Sequence, residues 1–139
     1  MRAALFALLT LVAFIGCESK ANTFGTSSTN TAKSVKLKAD YSSPKASFAT
    51  FLRGVAAKDL EILSACISSK ATSEFAGLRD KSTTAADLDG MAELFAECSV
   101  GEAEINPATN EAVVPVKLRT RDEHINMVLE NGAWRILDF

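Results

Sequence analysis

The chain has 139 residues, one histidine and a formal net charge of −2 at pH 7, and 47% of its residues are hydrophobic. The charge is unevenly distributed, because residues 44–139 hold 10 basic and 15 acidic side chains. Proteins bind phosphate backbones through clustered lysine and arginine, so this acidic region excludes nucleic acid as an expected partner.

An apolar run follows Arg2 at the start of the sequence. Residues 3–16 carry no charged side chain. A membrane-spanning helix needs about 20 apolar residues, whereas the apolar core of a secretory signal has about 7–15. The run therefore predicts a signal peptide over residues 1–16. A signal peptide that is cleaved at another position nearby is one alternative, and a short buried helix is the other.

The four residues Phe14-Ile15-Gly16-Cys17 close the apolar run. They resemble the lipobox of bacterial lipoproteins, which is usually Leu, then Ala or Ser, then Gly or Ala, then Cys; Phe14 stands in place of the usual Leu. The resemblance implies that Cys17 is lipidated, becomes the first residue of the mature chain and anchors it to a membrane of the bacterial cell envelope. Glu18, rather than Asp, follows the cysteine, which in this class favours the outer membrane, facing the periplasm.

Residues 17–43 form the next segment, the lipidated cysteine and a tether. Ser, Thr, Asn and Lys dominate residues 18–43, and the apolar residues follow no period. Such a composition buries too little apolar surface to offset its ordering entropy, which predicts a flexible linker. Its four lysines outnumber its two acidic residues, so contact with anionic lipid headgroups is an alternative to a simple solvated linker.

Residues 44–139 suit one small domain that opens with helices. Ser43 and Pro44 are typical of an N-cap and a first helical position. The expected inward side chains of this first helix are Phe48, Phe51, Leu52 and Val55. Asp59 caps a second helix in this interpretation, with Leu60, Leu63, Cys66 and Ile67 as its apolar side. Thr84 or Asp87 begins a later helix, whose expected inward residues are Leu88, Met91, Leu94, Phe95 and Cys98.

From Ser99 onward, apolar residues alternate with polar ones, which predicts strands. The alternation predicts one half-buried strand with Val114, Val116 and Leu118 inward and, after a turn at Arg121-Asp122, a second with Ile125, Met127 and Leu129 inward. Asn131-Gly132 predicts the turn of a hairpin to a third strand. Pro115 cannot donate to a strand ladder, so it indicates an edge strand or a bulge. Helices followed by antiparallel strands give an α+β fold, in which the helices cover one face of the sheet.

Two segments carry a second resemblance. The opening from Ser43-Pro44 to Lys58-Asp59 and the closing stretch Glu130-Asn131-Gly132-Ala133-Trp134-Arg135-Ile136 are similar to the nuclear transport factor 2-like superfamily, also called cystatin-like or polyketide-cyclase-like. The resemblance covers residues 44–139. It implies a cone of helices against a curved antiparallel sheet, with a concave pocket. It implies no single activity, because members include enzymes, binding modules and assembly domains.

Few side chains offer catalytic chemistry. His124 has the opposite parity to Ile125, which predicts that it faces outward, away from any buried substrate. Tyr41 lies in the predicted tether. Glu102 and Glu104 share one face of a predicted strand, where a solvated surface is favoured over a cation site. The sequence therefore predicts no catalytic residue, no metal site and no cofactor.

With Cys17 lipidated, Cys66 and Cys98 remain as a candidate disulfide, because paired cysteines in exported proteins are often bridged. A bridge would stabilise the fold by roughly 3–4 kcal/mol on the chain-entropy model. Two buried free thiols are the equally weighted alternative.

Three functions stay open at this stage. The first is a non-catalytic domain that binds a small ligand or an envelope protein. The second is an enzyme of the same fold that acts on a small hydrophobic substrate. The third is a structural module that forms a homodimer through its sheet, with Lys117, Arg119, Glu123 and Asn126 as the exposed sheet face.

Overall fold

The computed structural model describes residues 38–139, so the predicted signal peptide, Cys17 and residues 18–37 of the predicted tether lie outside the described residues. The helices are α1 (Pro44–Ala57), α2 (Leu60–Cys66), a 3₁₀ turn (Ser73–Phe75), α3 (Ala76–Arg79) and α4 (Ala85–Phe95), and the strands are β1 (Ser99–Val100), β2 (Glu104–Asn106), β3 (Glu111–Lys117), β4 (Asp122–Glu130) and β5 (Ala133–Asp138). Within this part of the chain, every helix is too short or too polar to cross a bilayer.

The helix starts follow the predicted caps. The Ser43 side chain accepts from the amide of Ala46, and Pro44 occupies the first helical turn, where its missing N–H has no cost. Asp59 accepts from two amides of α2. At α4, Thr84 and Asp87 form a reciprocal capping box. Local hydrogen bonding by these short polar side chains therefore fixes where the helices begin.

The five strands form one curved antiparallel sheet with the order β1-β3-β4-β5. β2 pairs with the same edge of β3 as β1 does: β1 lies along the end of β3 and β2 along its beginning. Together with the preceding helices, this sheet confirms the α+β class. Asn131 and Gly132 both adopt positive φ, of 52° and 78°, and join β4 to β5 as the predicted two-residue hairpin turn.

The inner face of the sheet packs against the helices. Alternate residues of β3, Ala112, Val114 and Val116, are buried there, and Ile125 and Met127 of β4 lie beside them. The core also contains Trp134 and Ile136 of β5 and the helical residues Phe48, Phe51, Val55, Leu63, Cys66 and Phe95. The predicted alternation is thus confirmed. The prediction for Leu94 is wrong, because its side chain is 41% exposed on the outer side of α4.

Pro115 lies inside the sheet, where the pairing of its neighbours is interrupted. β3 is an interior strand, but three residues, 101–103, lie opposite only Val114 and Pro115. The Pro115 carbonyl accepts from the Gly101 amide at 2.8 Å. Because the N–H and C=O of a strand residue point the same way, the missing N–H of Pro115 faces this bulge and costs no ladder bond to β4. Of the two sequence-based alternatives, the bulge is the one observed.

The free edge of β5 is covered by two other segments. The Trp134 amide donates to the Tyr41 carbonyl at 3.0 Å, and the Ser68 amide donates to the Ile136 carbonyl at 2.8 Å. Asp40 is also bonded through its backbone to the Thr50 hydroxyl. Asp40 and Tyr41, which the sequence places in the tether, are therefore bonded to the domain.

Candidate functional site

The space between the helices and the sheet is filled by aromatic rings. Phe51 stacks on Phe48 with ring centroids 5.7 Å apart and meets Phe95 edge-on at 5.8 Å. Phe139, which follows β5, contacts the rings of Phe75 and Phe95 at 4.7 and 5.7 Å. Phe48, Phe51, Phe75 and Phe95 are buried, whereas Phe139 is 41% exposed.

The polar groups in this interior are already paired. The hydroxyl of Ser47 donates to the Trp134 carbonyl at 2.6 Å, and the hydroxyl of Thr50 donates to the Asp40 carbonyl at 3.0 Å. Among residues 38–139, no buried side-chain nitrogen or oxygen lacks a hydrogen-bond partner. The buried polar side chains of the described residues are therefore hydrogen-bonded within the domain.

Among the ion-paired carboxylates of residues 38–139, Glu130 is the least exposed, with its side chain 14% exposed. It accepts from the Ser68 hydroxyl at 2.6 Å and from the Ser69 amide and hydroxyl at 3.2 Å each. Burial raises the pKa of Glu130, but these hydrogen bonds and the nearby Arg135 charge outweigh burial and hold the pKa below its ordinary value. Glu130 therefore remains ionised and fastens the segment after α2 to the β4–β5 hairpin, which is a structural role rather than that of a general acid.

The two remaining cysteines are free thiols in the structure. Cys66 is fully buried in the core. Burial raises the pKa of its thiol to about 12, and the opposing effect of a hydrogen bond with the Tyr41 hydroxyl is smaller. Cys98 is partly exposed, and burial raises its pKa as well. Neither thiol has the lowered pKa of a reactive nucleophile.

The other candidate residues lie on the surface and do not converge. His124 is exposed opposite Pro115, in a depression of about 330 Å³ that also includes Lys117 and Asp122. Glu102 precedes β2 rather than lying in it, and it forms an ion pair with Lys45 of α1. Residues 38–139 contain no group of three His, Cys, Asp or Glu side chains suited to a metal ion.

The predicted exposed sheet face is only partly correct. Lys117 and Asn126 lie on the outer face, the side of the sheet opposite the helices. Glu123 pairs with Val116, so it belongs to the inner face at the end of the sheet, where it forms an ion pair with Arg121 at 2.6 Å. Arg119 lies beyond the end of β3. The stripe that combined these four residues is therefore wrong, because the strand register separates them.

A different set of residues forms a continuous row across the outer face. The register places Glu104, Val113, Asn126 and Asp138 side by side on β2, β3, β4 and β5; we call this set the outer-face row. Two shallow depressions, of about 320 and 190 Å³, adjoin along it and share Glu111, Ala112 and Val113. This row is not predicted from the sequence, although Val113 gives a signal: it is an apolar residue at an outward-facing position, beside the inward-facing Val114.

The charged residues that line the two depressions are all acidic. Their charged lining residues are Glu104, Glu111 and Asp138. Within the described part of the chain none of these three carboxylates forms an ion pair, although Asp138 accepts a hydrogen bond from the Asn126 amide. The row thus offers carboxylates around a half-buried valine.

Comparison of the chain with protein-family models, curated proteins and solved structures finds no significant match. The functional proposal for the domain therefore rests on its geometry.

Proposed function

We propose that this chain is a lipoprotein of the bacterial cell envelope whose α+β domain binds a protein partner without catalysis. The anchor is Cys17, exposed as the new first residue after removal of residues 1–16. Several acyl chains on one residue hold a protein firmly at a membrane, whereas a single chain binds only marginally. The lipobox resemblance and the uncharged run of residues 3–16 support this assignment.

The observation that carries the non-catalytic proposal is the filled interior. The buried rings of Phe48, Phe51, Phe75 and Phe95 and the partly exposed ring of Phe139 pack together, and this packing supports an interior without room for a substrate. Catalysis by acid and base groups also needs a titratable side chain facing the substrate. Within residues 38–139, hydrogen bonds hold the pKa values of Asp40 and Glu130 below their ordinary values, which favours the ionised form rather than a proton donor. Binding at the surface is the function that these properties support best.

We also propose that the domain is a nuclear transport factor 2-like cone. The order of helices before an antiparallel meander, and the curvature of the sheet, support this finer assignment. An experimental structure of the full chain that superposes on this superfamily over most of the domain is the expected result. A different strand order would overturn the assignment.

The anchor is tested by metabolic labelling with radioactive palmitate. We expect label on the wild-type chain and on the Cys98→Ala variant, and none on Cys17→Ala, which should leave the membrane fraction. Retention of Cys17→Ala in membranes would overturn the anchor. The proposed outer-membrane address is tested by Glu18→Asp, which should move the protein towards the inner membrane, since Asp at this position favours retention there.

Partner binding is tested by photo-crosslinking in the cell. A photoreactive amino acid is introduced singly at exposed sites on the outer face and on the helical side, such as Lys117 and Glu74. We expect a discrete adduct, of higher mass than the chain, from at least one face. A mass of twice the chain would favour the homodimer alternative, and no adduct from any site would overturn the binding proposal.

A further inference from the structure

From the outer-face row we infer the class of partner: an extended, cationic peptide segment that lies across the strands with basic side chains four residues apart. This inference rests on the proposed partner binding and names the surface and the chemistry of the occupant.

The first step is the spacing of the carboxylates. Glu104 and Asp138 lie at the two ends of the outer-face row, on β2 and β5. Neighbouring strands are about 4.8 Å apart, so three intervals separate the two ends by about 14 Å. An extended peptide advances about 3.4 Å per residue, and its residues i and i+4 project from the same side about 14 Å apart. Lysine or arginine at i and i+4 therefore matches the two terminal carboxylates.

The second step is the surface between them. Val113 and Asn126 lie at the centre of the row and are half-buried. In the next row, Val128 is only 9% exposed although it is on the outer face, and it lies between Glu111 and Arg135. A residue at i+2 of the bound segment faces this centre. A small apolar side chain fits there, because it covers Val113 without displacing the Asn126–Asp138 hydrogen bond.

The third step is the charge balance. Glu104, Glu111 and Asp138 have no cationic partner within residues 38–139. Arg135, the nearest cation in the adjacent row, is already bonded to the Ala65 carbonyl and lies 3.9 Å from Glu130. A second copy placed face to face would set these carboxylates against one another, and like charges in opposition are destabilising. The charge of the face thus favours a cationic partner over a homodimer.

The experiment uses the full chain in detergent micelles and three blocked peptides. The first has lysines at i and i+4 around a central valine (Lys-Thr-Val-Thr-Lys), the second has the lysines at i and i+2, and the third replaces both lysines by glutamine. We expect the first to bind most tightly and the third not at all. Binding of the first should weaken as salt rises, because exposed ion pairs are screened. Its chemical-shift changes should centre on Val113 and Asn126.

Matched variants locate the site. Glu104→Gln and Asp138→Asn should each weaken binding of the first peptide by a factor of about 2–5, the range expected for loss of one exposed ion pair. Glu74→Gln removes the same charge from the exposed 3₁₀ turn and should leave binding unchanged. Equal affinity for the three peptides, or equal weakening by Glu74→Gln, would overturn the inference. If none of the peptides binds while photo-crosslinks form from the helical side, the inference about the outer-face row is overturned but the proposal of partner binding stands. If no crosslink forms from any site, both are overturned.

Discussion

Gly101 and Gly90 provide a matched test of the bulge beside Pro115. A Cβ added at Gly101 would lie 2.8 Å from Cγ of Pro115 and 3.3 Å from its carbonyl oxygen, whereas a Cβ added at Gly90 of α4 would meet nothing within 4 Å. We expect Gly101→Ala to destabilise the domain and Gly90→Ala to stabilise it. The same methyl group is added in both variants, so the comparison isolates its surroundings.

The magnitude follows from three contributions. Forcing an extra methyl group into a close-packed site costs about 1–3 kcal/mol. Any Gly→Ala change also restricts the unfolded chain, which stabilises by about 0.4–1 kcal/mol where the backbone can accept alanine. Gly101→Ala should therefore lower the free energy of unfolding by up to about 2.6 kcal/mol, and by about 1.3 kcal/mol at the middle of both ranges. Gly90→Ala should raise it by up to about 1 kcal/mol, the difference in helix propensity.

The assay is urea unfolding followed by the fluorescence of Trp134. This residue is the only tryptophan of the chain and is 7% exposed in the folded domain, so its emission should shift as the core opens. The midpoint should move in opposite directions for the two variants, with the slope unchanged. A Gly101→Ala midpoint at or above that of the wild type would refute the close approach of Gly101 and Pro115.

Three further predictions concern the hydrogen bonds of Glu130, the two cysteines and the packing of Phe51. The pKa of Glu130 is lower in the folded than in the unfolded chain, so its contribution to stability is present above the unfolded pKa and is lost as pH falls through the folded pKa. In Glu130→Gln, this part of the decrease in stability at acidic pH should be absent. Thermal unfolding between about pH 3 and 6 measures the difference. With lipid on Cys17, Ellman's reagent should titrate Cys98 in the native chain and Cys66 only after unfolding, and no reactive thiol after unfolding would indicate a disulfide. Phe51→Ala should cost about 3–5 kcal/mol in urea unfolding, the usual price of an emptied aromatic site, and a cost below 1 kcal/mol would contradict the packing between α1 and the sheet.

Much of the fold could be predicted because its signals are local. Ser43, Asp59 and Thr84 cap helices through bonds to amides two or three residues away, and Asn131-Gly132 turns the chain through its own φ angles. The alternation along β3 and β4 is likewise a property of neighbouring residues. Leu94 was misplaced because helical spacing alone cannot show how wide a stripe of α4 the partner elements cover.

The candidate site could be predicted only in part. The surface position of His124 follows from its parity beside Ile125, and the structure agrees. The predicted stripe that contains both Glu123 and Asn126 is wrong, because the two residues lie three positions apart on β4 and therefore on opposite faces of the sheet. The outer-face row needs the register of four strands at once, including a bulge near the end of β5, so no pattern within one strand could reveal it.

The amino-acid sequence alone is enough to predict the helix starts, the hairpin turn, the alternation of buried and exposed residues along β3 and β4, and the α+β class. These features depend on interactions between residues a few positions apart, which any stretch of chain carries with it. Three other features exist only in the folded chain: Gly101 approaches Pro115, Tyr41 covers the edge of β5, and Glu104 and Asp138 lie in one row. These pairs are distant in the chain, and strand register and packing, which bring them together, are properties of the assembled fold.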